Sequence, residues 1–331
     1  VYKRQNLPWP RGSAAGEQRE PLQALLQDIV ASDNAAGLDT RALLVVAGGQ
    51  LLAEAYGPGI DRHTPLLGWS MGKSVTAIMI GRLQAMGLLD SSDSGLFEAW
   101  DGDERAQITL QNLLQMSSGL SFEEDYEPGR DATRMLFTAA SAAEVAMAQP
   151  LLHAPGSHFS YSSGTTNLLS RIVFDRVGGS AQAQVNFFHS EIVRPLALET
   201  VVLEPDASGV FVGSSYVYAS ARDWARFGQL MLDGGVAHGK RLLRADWVRR
   251  ASAPNDSDND PRYGYQFWLN APGEPRWPSL PADAYARLGN REQVVMMLPS
   301  RDAVIVRLGW SAGEYPTDAN FARIFSALQV P

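Results

Sequence analysis

A serine and a lysine three residues apart are the first feature of this sequence that could do chemistry. They are Ser70 and Lys73, in the stretch GWSMGKSVTAIMIGRLQAMGLLD (68–90). The apolar residues after them recur at helical spacing, which predicts a helix that begins near the pair. Residues i and i+3 share one helix face, and the free N–H groups of the first turn favour developing negative charge. A nucleophile and its base could stand together there, although most such pairs are solvated helix surface.

A tyrosine in front of another predicted helix is the second candidate. Tyr161 is followed by Ser162 and Ser163 in HFSYSSGTTNLLSRI, where the helix is predicted to begin near Thr165. The helix dipole and a nearby ammonium can stabilise a phenolate, which would bring the proton affinity of Tyr161 into a useful range for a base. The alternative is an aromatic core or rim residue followed by an ordinary serine cap.

Histidine, the usual partner of a serine nucleophile, has no motif-like setting in this chain. Its five histidines all have sequence neighbours typical of surface or capping residues. They are His63, His153, His158, His189 and His238. A lysine or tyrosine base is therefore favoured.

The composition limits the class of protein. The chain has 331 residues, of which 45% are hydrophobic and 19% charged, enough for one large domain or two interleaved ones. Its net charge of −8, without long runs of like charge, argues against nucleic acid or an anionic membrane as the main partner. The absence of cysteine excludes disulfides, thiolate metal sites and a cysteine nucleophile. The acidic stretch FEEDYEPG (122–129) is interpreted as a solvated loop or cleft rim, and neither metal nor cofactor is predicted.

The sequence leaves location and assembly open. It contains neither a membrane-length apolar run nor an opening signal peptide, so the chain as given is expected to be soluble. Cytoplasm and periplasm both remain possible, because a leader would lie upstream of Val1. Monomer and homodimer are equally compatible with the sequence.

Apolar patterns at the two ends of the chain predict one sheet. A helix at 20–32 precedes two short strands at 41–47 and 50–56, and Gly48 and Gly49 between them are typical of a hairpin turn. The last part of the chain has strand patterns followed by a closing helix. These strands are predicted at 263–270, 293–299 and 303–309. Sheet edges need partners, so the early hairpin is expected to lie beside the late strands in one antiparallel sheet.

The middle of the chain predicts helices joined by irregular connections. These helices are predicted at 108–116, 135–149, 167–177 and 221–232. The result is an α/β (α+β) fold in which an antiparallel sheet is flanked by N- and C-terminal helices and carries a mainly helical inserted domain. The predicted division is an N-terminal extension at 1–19, a discontinuous sheet domain at 20–90 and 255–331, and a helical domain at 91–254, with the active site in the cleft between the domains.

Four segments in this order resemble a known family. They are GWSMGKS, LLQMSSGLSFEEDY, FSYSSGTTNLLSRI and DASGVFVGSSYVYASARDWARFGQLMLDGG. They resemble the serine hydrolases of the class C β-lactamase superfamily, and most of all its branch of 6-aminohexanoate-dimer hydrolases and family VIII-like carboxylesterases. The resemblance runs from about residue 40 to residue 310. It implies a β-lactamase/transpeptidase-like fold and an acyl-enzyme mechanism.

The resemblance also implies roles for individual residues. Ser70 would be the acylated nucleophile and Lys73 its ammonium or amine partner, while Tyr161 would be the general base and later the acid for the leaving group. Ser163 stands where many relatives have asparagine, which puts the usual amide contacts to substrate and lysine in doubt. Tyr216 would line the pocket.

The third motif of the superfamily, a KTG or HxG triplet on a late strand, is altered in this chain. In YARLGNREQVVMMLP, Gly289 and Gln293 fit the pattern of the branch, whereas Asn290 stands where histidine is expected and Glu292 where glycine is expected. The oxyanion hole would consist of the Ser70 N–H and one N–H from the strand entered near Gln293. Arg287 or Arg291 could replace the missing lysine as the cation for a substrate carboxylate.

The sequence therefore predicts a serine hydrolase, an esterase or amidase, that acts on a small ester or linear amide. A β-lactamase or D-alanyl-D-alanine carboxypeptidase is the alternative enzyme, weakened by the missing lysine. A catalytically silent binding protein on the same scaffold is the alternative from another class, suggested by Ser163, Asn290 and Glu292.

Overall fold

The computed structural model describes residues 20–328. The predicted extension at 1–19 lies outside the described residues. Within residues 20–328, six strands form one antiparallel sheet, and short strands form two smaller sheets. In chain order the strands are β1 Thr40–Ala47, β2 Gln50–Tyr56, β3 Leu66–Leu67, β4 Val202–Leu203, β5 Val217–Ala219, β6 Val236–Ala237, β7 Lys240–Arg241, β8 Trp268–Leu269, β9 Tyr285–Gly289, β10 Gln293–Leu298 and β11 Ala303–Gly309.

The helices cover both faces of the large sheet and fill the middle of the chain. They are α1 Glu20–Ala35, α2 Gly72–Ala85, α3 Leu110–Leu114, α4 Asp131–Phe137, α5 Ala142–Met147, α6 Ser163–Arg176, α7 Ala181–Phe188, α8 Arg194–Leu196, α9 Ala221–Leu232, α10 Ala245–Ala251 and α11 Thr317–Ala327. Short 3₁₀ turns occur at Trp69–Met71, Glu98–Trp100, Glu104–Gln107 and Pro299–Arg301, and a π-helical turn at His189–Val193.

Both ends of the chain build the large sheet, as predicted. Its strand order is β2-β1-β11-β10-β9-β8, so the N-terminal hairpin pairs with the late strands through β1 and β11. Successive residues of β1 alternate between two cores. Leu43 and Val45 pack with α1 and α11 on one face, whereas Leu44 and Val46 pack with α2 and α9 on the other. Because both faces are covered, the strands are apolar almost throughout.

Several predicted elements are confirmed and others are wrong. The hairpin 41–56 is present, with both turn glycines at positive φ, and the helix 221–232 has the predicted bounds. The helix predicted at 135–149 is instead α4 and α5, because Ser141 caps a new helix by accepting a hydrogen bond from the Glu144 N–H. The strand predicted at 263–270 is limited to Trp268–Leu269, since Gln266 before it has a left-handed φ of 62°.

Helix α9 packs directly on the sheet although the predicted division assigns it to the helical domain. A Cβ added at Gly228 would lie 2.7 Å from Val304 Cγ1, so glycine permits the close approach of α9 to β11. The division into domains at 90 and 255 therefore stays a prediction. In residues 20–328, no helix has both the length and the apolarity needed to cross a bilayer.

A largely buried ion pair joins α9 to the hairpin. Arg222 binds both carboxylate oxygens of Glu54, and the Tyr56 hydroxyl donates to the same carboxylate at 2.7 Å. We expect Arg222→Leu to lower the free energy of unfolding by roughly 3 kcal/mol, because it leaves a buried carboxylate without its cation. Urea denaturation measures this change.

A solvent-exposed ion pair provides the matched control. Arg323 and Asp28 join α11 to α1, with side chains 46% and 62% exposed. The Arg323→Leu variant should lose less than about 1 kcal/mol. Similar losses in the two variants would contradict the structural importance assigned to the Arg222–Glu54 pair.

Candidate active site

The predicted nucleophile lies in a tight turn at the start of α2. Ser70 is in the 3₁₀ turn that leads into the helix, and the turn is fixed by a hydrogen bond of 2.8 Å from the Gly68 N–H to the Val217 carbonyl. Trp69 has a left-handed φ of 48°, a strained conformation for a residue with a side chain. The strain is held by packing, since the Trp69 ring lies 6.1 Å from the Trp310 ring.

Lys73 is buried and surrounded by three oxygen acceptors. Its Nζ lies 3.0 Å from Ser70 Oγ, 2.8 Å from Ser163 Oγ and 3.1 Å from the Ser214 carbonyl oxygen. Burial lowers the pKa of Lys73 to about 8, and the carboxylate of Glu124 opposes this shift. At pH 7 about one in ten of these side chains is therefore a neutral amine, in hydrogen-bond contact with the candidate nucleophile.

A close-packed loop brings the Ser214 carbonyl to Lys73. A Cβ added at Gly213 would lie 2.1 Å from Thr76 Oγ1, so only glycine lets the loop approach α2 this closely. Asn167 holds the next residue, donating from Nδ2 to Ser214 Oγ at 3.0 Å and accepting from the Ser214 N–H at 3.3 Å. The carbonyl acceptor is thus fixed by α6.

Tyr161 lies beside the Ser70–Lys73 pair, but its ionisation differs from the prediction. Its ring centroid is 4.9 Å from Lys73 Nζ, and Ser70 lies close enough to lower the pKa of the Tyr161 hydroxyl. Burial raises the pKa of Tyr161 well above its usual range, outweighing the Ser70 contact. The expectation of a lowered proton affinity is therefore wrong. Helix α6 begins at Ser163, with Ser162 as its cap through a 3.0 Å bond from the Thr165 N–H.

Ser163 makes the lysine contact that the sequence left in doubt. Its hydroxyl oxygen accepts from Lys73, so a serine serves where the resemblance leads one to expect the amide of asparagine. The Ser163 N–H and hydroxyl both donate to the carboxylate of Glu124, at 2.6 Å and 2.5 Å. Glu124 is therefore connected to Lys73 through the hydroxyl of Ser163.

Glu124 is a site residue that the sequence interpretation missed. The solvated-loop interpretation of 122–129 is correct for Glu123 and Asp125, which are exposed and face Arg130 at 2.7 Å and 4.0 Å. It is wrong for Glu124, which points inward to Ser163. The available signal was the position of Glu124 in one of the four ordered segments, LLQMSSGLSFEEDY.

An aromatic wall, also missed, flanks Tyr161. The Trp268 ring stacks on the Tyr161 ring with centroids 5.3 Å apart, and Tyr263 meets both rings edge-on. The guanidinium of Arg276 lies 4.8 Å from the Trp268 ring centroid. The wall desolvates the Tyr161 hydroxyl and places a cation near it.

The opposite wall is formed by a strand that was not predicted. Strand β9 ends at Gly289, where an added Cβ would lie 2.1 Å from the Gly68 carbonyl oxygen. The strand beside the Ser70 turn is thus 285–289, and Gln293 begins the next strand along the sheet. The side chain of Gln293 is buried and bonded to the Gly309 backbone through both its oxygen and its nitrogen, so it ties β10 to β11.

The structure shows what the other residues named in the sequence analysis contact: Asn290, Tyr216, Arg287 and Arg291. Asn290 lies in the exposed β9–β10 turn, where its side-chain oxygen accepts from the Arg291 N–H at 2.8 Å. The Tyr216 hydroxyl donates to the Leu136 carbonyl at 3.1 Å. Arg287 is buried over the Phe227 ring and so does not replace the missing lysine as a cation in the cleft. Arg291 turns toward Trp310, with its guanidinium 5.5 Å from that ring.

This chain is similar to a protein family, to a curated hydrolase and to several solved structures. A family model described as Beta-lactamase matches residues 22–329. The 6-aminohexanoate-dimer hydrolase of Paenarthrobacter ureafaciens is 26% identical over 297 residues, covering 81% of this chain and 72% of that protein. A penicillin-binding protein homologue from Caulobacter crescentus superposes with a TM-score of 0.74 at 19% identity, covering 95% of this chain and 99% of its own. A family VIII carboxylesterase gives 0.70 at 13% identity, with the same two coverages. These likenesses confirm the predicted β-lactamase/transpeptidase-like fold.

The ionisation of Lys73 can be measured directly. The chain has only three lysines, at 3, 73 and 240, so ¹³Cε-lysine labelling gives a simple NMR spectrum that Lys73→Arg assigns. We expect the Lys73 signal to titrate with a pKa of about 8, because the ammonium is desolvated. An exposed lysine titrates near about 10.4. A Lys73 midpoint at or above that value would rule out the effect of burial described above.

Proposed function

The chain belongs to the beta-lactamase family, and from this premise we propose that it is a serine hydrolase that cleaves a small ester or linear amide through an acyl-enzyme. One observation carries the proposal. The Nζ of the buried Lys73 lies 3.0 Å from Ser70 Oγ, within reach for proton transfer. The pKa of about 8 at this lysine suits a general base at neutral to mildly alkaline pH.

Acylation would begin with a proton transfer from Ser70 to Lys73. The Ser70 oxygen attacks the substrate carbonyl carbon as its proton moves to Nζ, and a tetrahedral oxyanion forms. Backbone N–H groups at Ser70 and at the end of β9 would stabilise that charge. This site on β9 replaces the expected donor near Gln293, because β9 is the strand against Gly68.

Tyr161 would serve as the acid rather than the base. Burial keeps its phenol protonated, so it can give its proton to the leaving oxygen or nitrogen while the carbon–heteroatom bond breaks. The ammonium of Lys73 holds the proton taken from Ser70, and its transfer restores the phenol. In deacylation, water gives a proton to the neutral amine of Lys73 and attacks the acyl carbon. When the bond from the acyl carbon to Ser70 breaks, the Ser70 oxygen takes that proton back, which releases the acid and regenerates both Ser70 and the amine.

Esters and linear amides are favoured over β-lactams as substrates. The similar proteins include a 6-aminohexanoate-dimer hydrolase and a family VIII carboxylesterase. The superfamily's third-motif lysine is missing, and the guanidinium of Arg287 is in the core. A β-lactam carboxylate would therefore lack its usual cation on this wall.

Covalent labelling tests the nucleophile. A fluorophosphonate probe should add to Ser70, because the adjacent amine activates its hydroxyl. Intact-mass spectrometry and peptide mapping locate the adduct, and Ser70→Ala should not label at all. Wild-type protein that neither labels nor cleaves any 4-nitrophenyl ester would refute the hydrolase assignment and favour a binding protein. Nitrocefin turnover equal to ester turnover would favour a β-lactamase.

The pH profile tests the base. Because Lys73 must be neutral to accept a proton, kcat/KM for a 4-nitrophenyl ester should rise with pH through a limb near 8 and fall about tenfold per pH unit well below it. Lys73→Ala and Tyr161→Phe should each lose about 10²-fold or more in kcat. Near-normal turnover in either variant would remove that residue from the mechanism.

A further inference from the structure

We propose that Glu124 is a positioning residue that fixes the direction of the Ser163 hydroxyl and so aims the lone pair of the Lys73 amine at Ser70. The inference rests on the proposed function, because it concerns how the base of that reaction is oriented. It also has a consequence that can be measured without turnover.

The contacts of Glu124 determine where the Ser163 hydrogen points. One carboxylate oxygen accepts from the Ser163 N–H at 2.6 Å and the other from the Ser163 hydroxyl at 2.5 Å. An ionised carboxylate accepts hydrogen bonds and donates none. The hydroxyl hydrogen therefore points to Glu124, and only the oxygen of Ser163 is left to face Lys73.

Counting hydrogens on Lys73 gives the orientation of its lone pair. A neutral amine has two N–H groups and one lone pair, whereas the ammonium has three N–H groups. The Ser214 carbonyl can only accept, and Ser163 Oγ is made an acceptor by Glu124. These two acceptors use both N–H groups of the amine. The lone pair is left for the Ser70 hydroxyl, which is the group to be deprotonated.

Without a carboxylate at this position, the site would have a competing arrangement. The Ser163 hydroxyl could turn and donate its hydrogen to the Lys73 lone pair at the same 2.8 Å separation. An N–H of the amine would then point at Ser70, and the amine could not take the Ser70 proton. Glu124 excludes this arrangement because its oxygens attract the Ser163 hydrogen more strongly than a neutral amine does.

The charge of Glu124 also favours the product of the proton transfer. When Lys73 becomes an ammonium, the carboxylate lies one hydroxyl away, and its negative charge raises the pKa of Lys73 against the effect of burial. The other groups facing this pair are phenols, since Tyr161 lies over Lys73 and the Tyr126 hydroxyl donates to Glu124 at 3.2 Å. The positive charge of Arg276, in the aromatic wall, lowers the pKa of Tyr161 against the effect of burial. No proton moves to Glu124 in this scheme.

The Glu124→Gln variant tests the proposal with two measurements. The ¹³Cε NMR titration of Lys73 should shift to lower pH, because the ammonium loses its nearby negative charge. With a 4-nitrophenyl ester, the acid limb of kcat/KM should shift in the same direction, and the high-pH plateau should fall about tenfold or more because the hydroxyl is no longer oriented. A residue that only supported the fold would lower the plateau without moving either midpoint.

Glu123→Gln is the matched control. It makes the same chemical change one residue away, at an exposed carboxylate paired with Arg130. Its Lys73 midpoint and plateau should equal those of the wild type. Equal shifts in the two variants would overturn the proposal, since the effect would then be a general loss of surface charge.

A double-mutant cycle tests the path through Ser163. If Glu124 acts by orienting that hydroxyl, Glu124→Gln should lower the plateau much less in a Ser163→Ala background than in the wild type. An undiminished loss there would contradict the relay. The NMR titration separates this proposal from the function itself, because Lys73 should still shift in Glu124→Gln even if the wild type hydrolyses no ester. A Lys73 midpoint that does not move would overturn the role of Glu124 while leaving the labelling of Ser70 unaffected.

Discussion

The burial of one amine is the constraint on which the site depends. Lys73 is only 1% exposed, and an isolated ammonium in such a place is unfavourable unless oxygen acceptors surround it. Three elements supply those acceptors: the turn before α2, the start of α6 and the loop before β5. Desolvation still outweighs these contacts and lowers the pKa of Lys73 to about 8, so both protonation states are populated near that pH. A pKa in this range is what the proposed general base requires.

A buried glutamine joins α2 and α6 to the end of α3. Gln266 accepts from Ser74 of α2 through its carbonyl and from Thr166 of α6 through its side chain, at 2.5 Å and 2.8 Å. Its amide donates to the carbonyls of Leu113 and Leu114 at the end of α3. The left-handed conformation of Gln266 breaks the predicted strand there, so the break in regular structure is where the two site helices are joined.

Patterns local in sequence predicted the parts of the fold that depend on local physics. The hairpin glycines, the helix at 221–232 and the apolar runs of β10 and β11 each agreed with the structure. The missed strand β9 contains Arg287, whose charge interrupts the apolar pattern, although the guanidinium is buried between the Phe227 and Phe267 rings. The inward turn of Glu124 and the desolvation of Tyr161 arise from distant segments. Neither could be read from neighbouring residues.

The altered third motif lies in the β9–β10 turn, and a buried arginine fixes the conformation of this turn. Arg291 and Glu292 both have positive φ, and the buried Arg307 donates to the carbonyls of both residues. Arg307 also donates to the Leu38 carbonyl and to Thr40, so the turn is tied to the first strand of the sheet. The side chains that depart from the family pattern belong to this turn, whereas the surface that meets Gly68, just before Ser70, is the backbone at Gly289. A backbone N–H group can donate whichever side chain its residue carries. The wall at Gly289 can therefore keep its position although the side chains of the neighbouring turn differ from the family pattern.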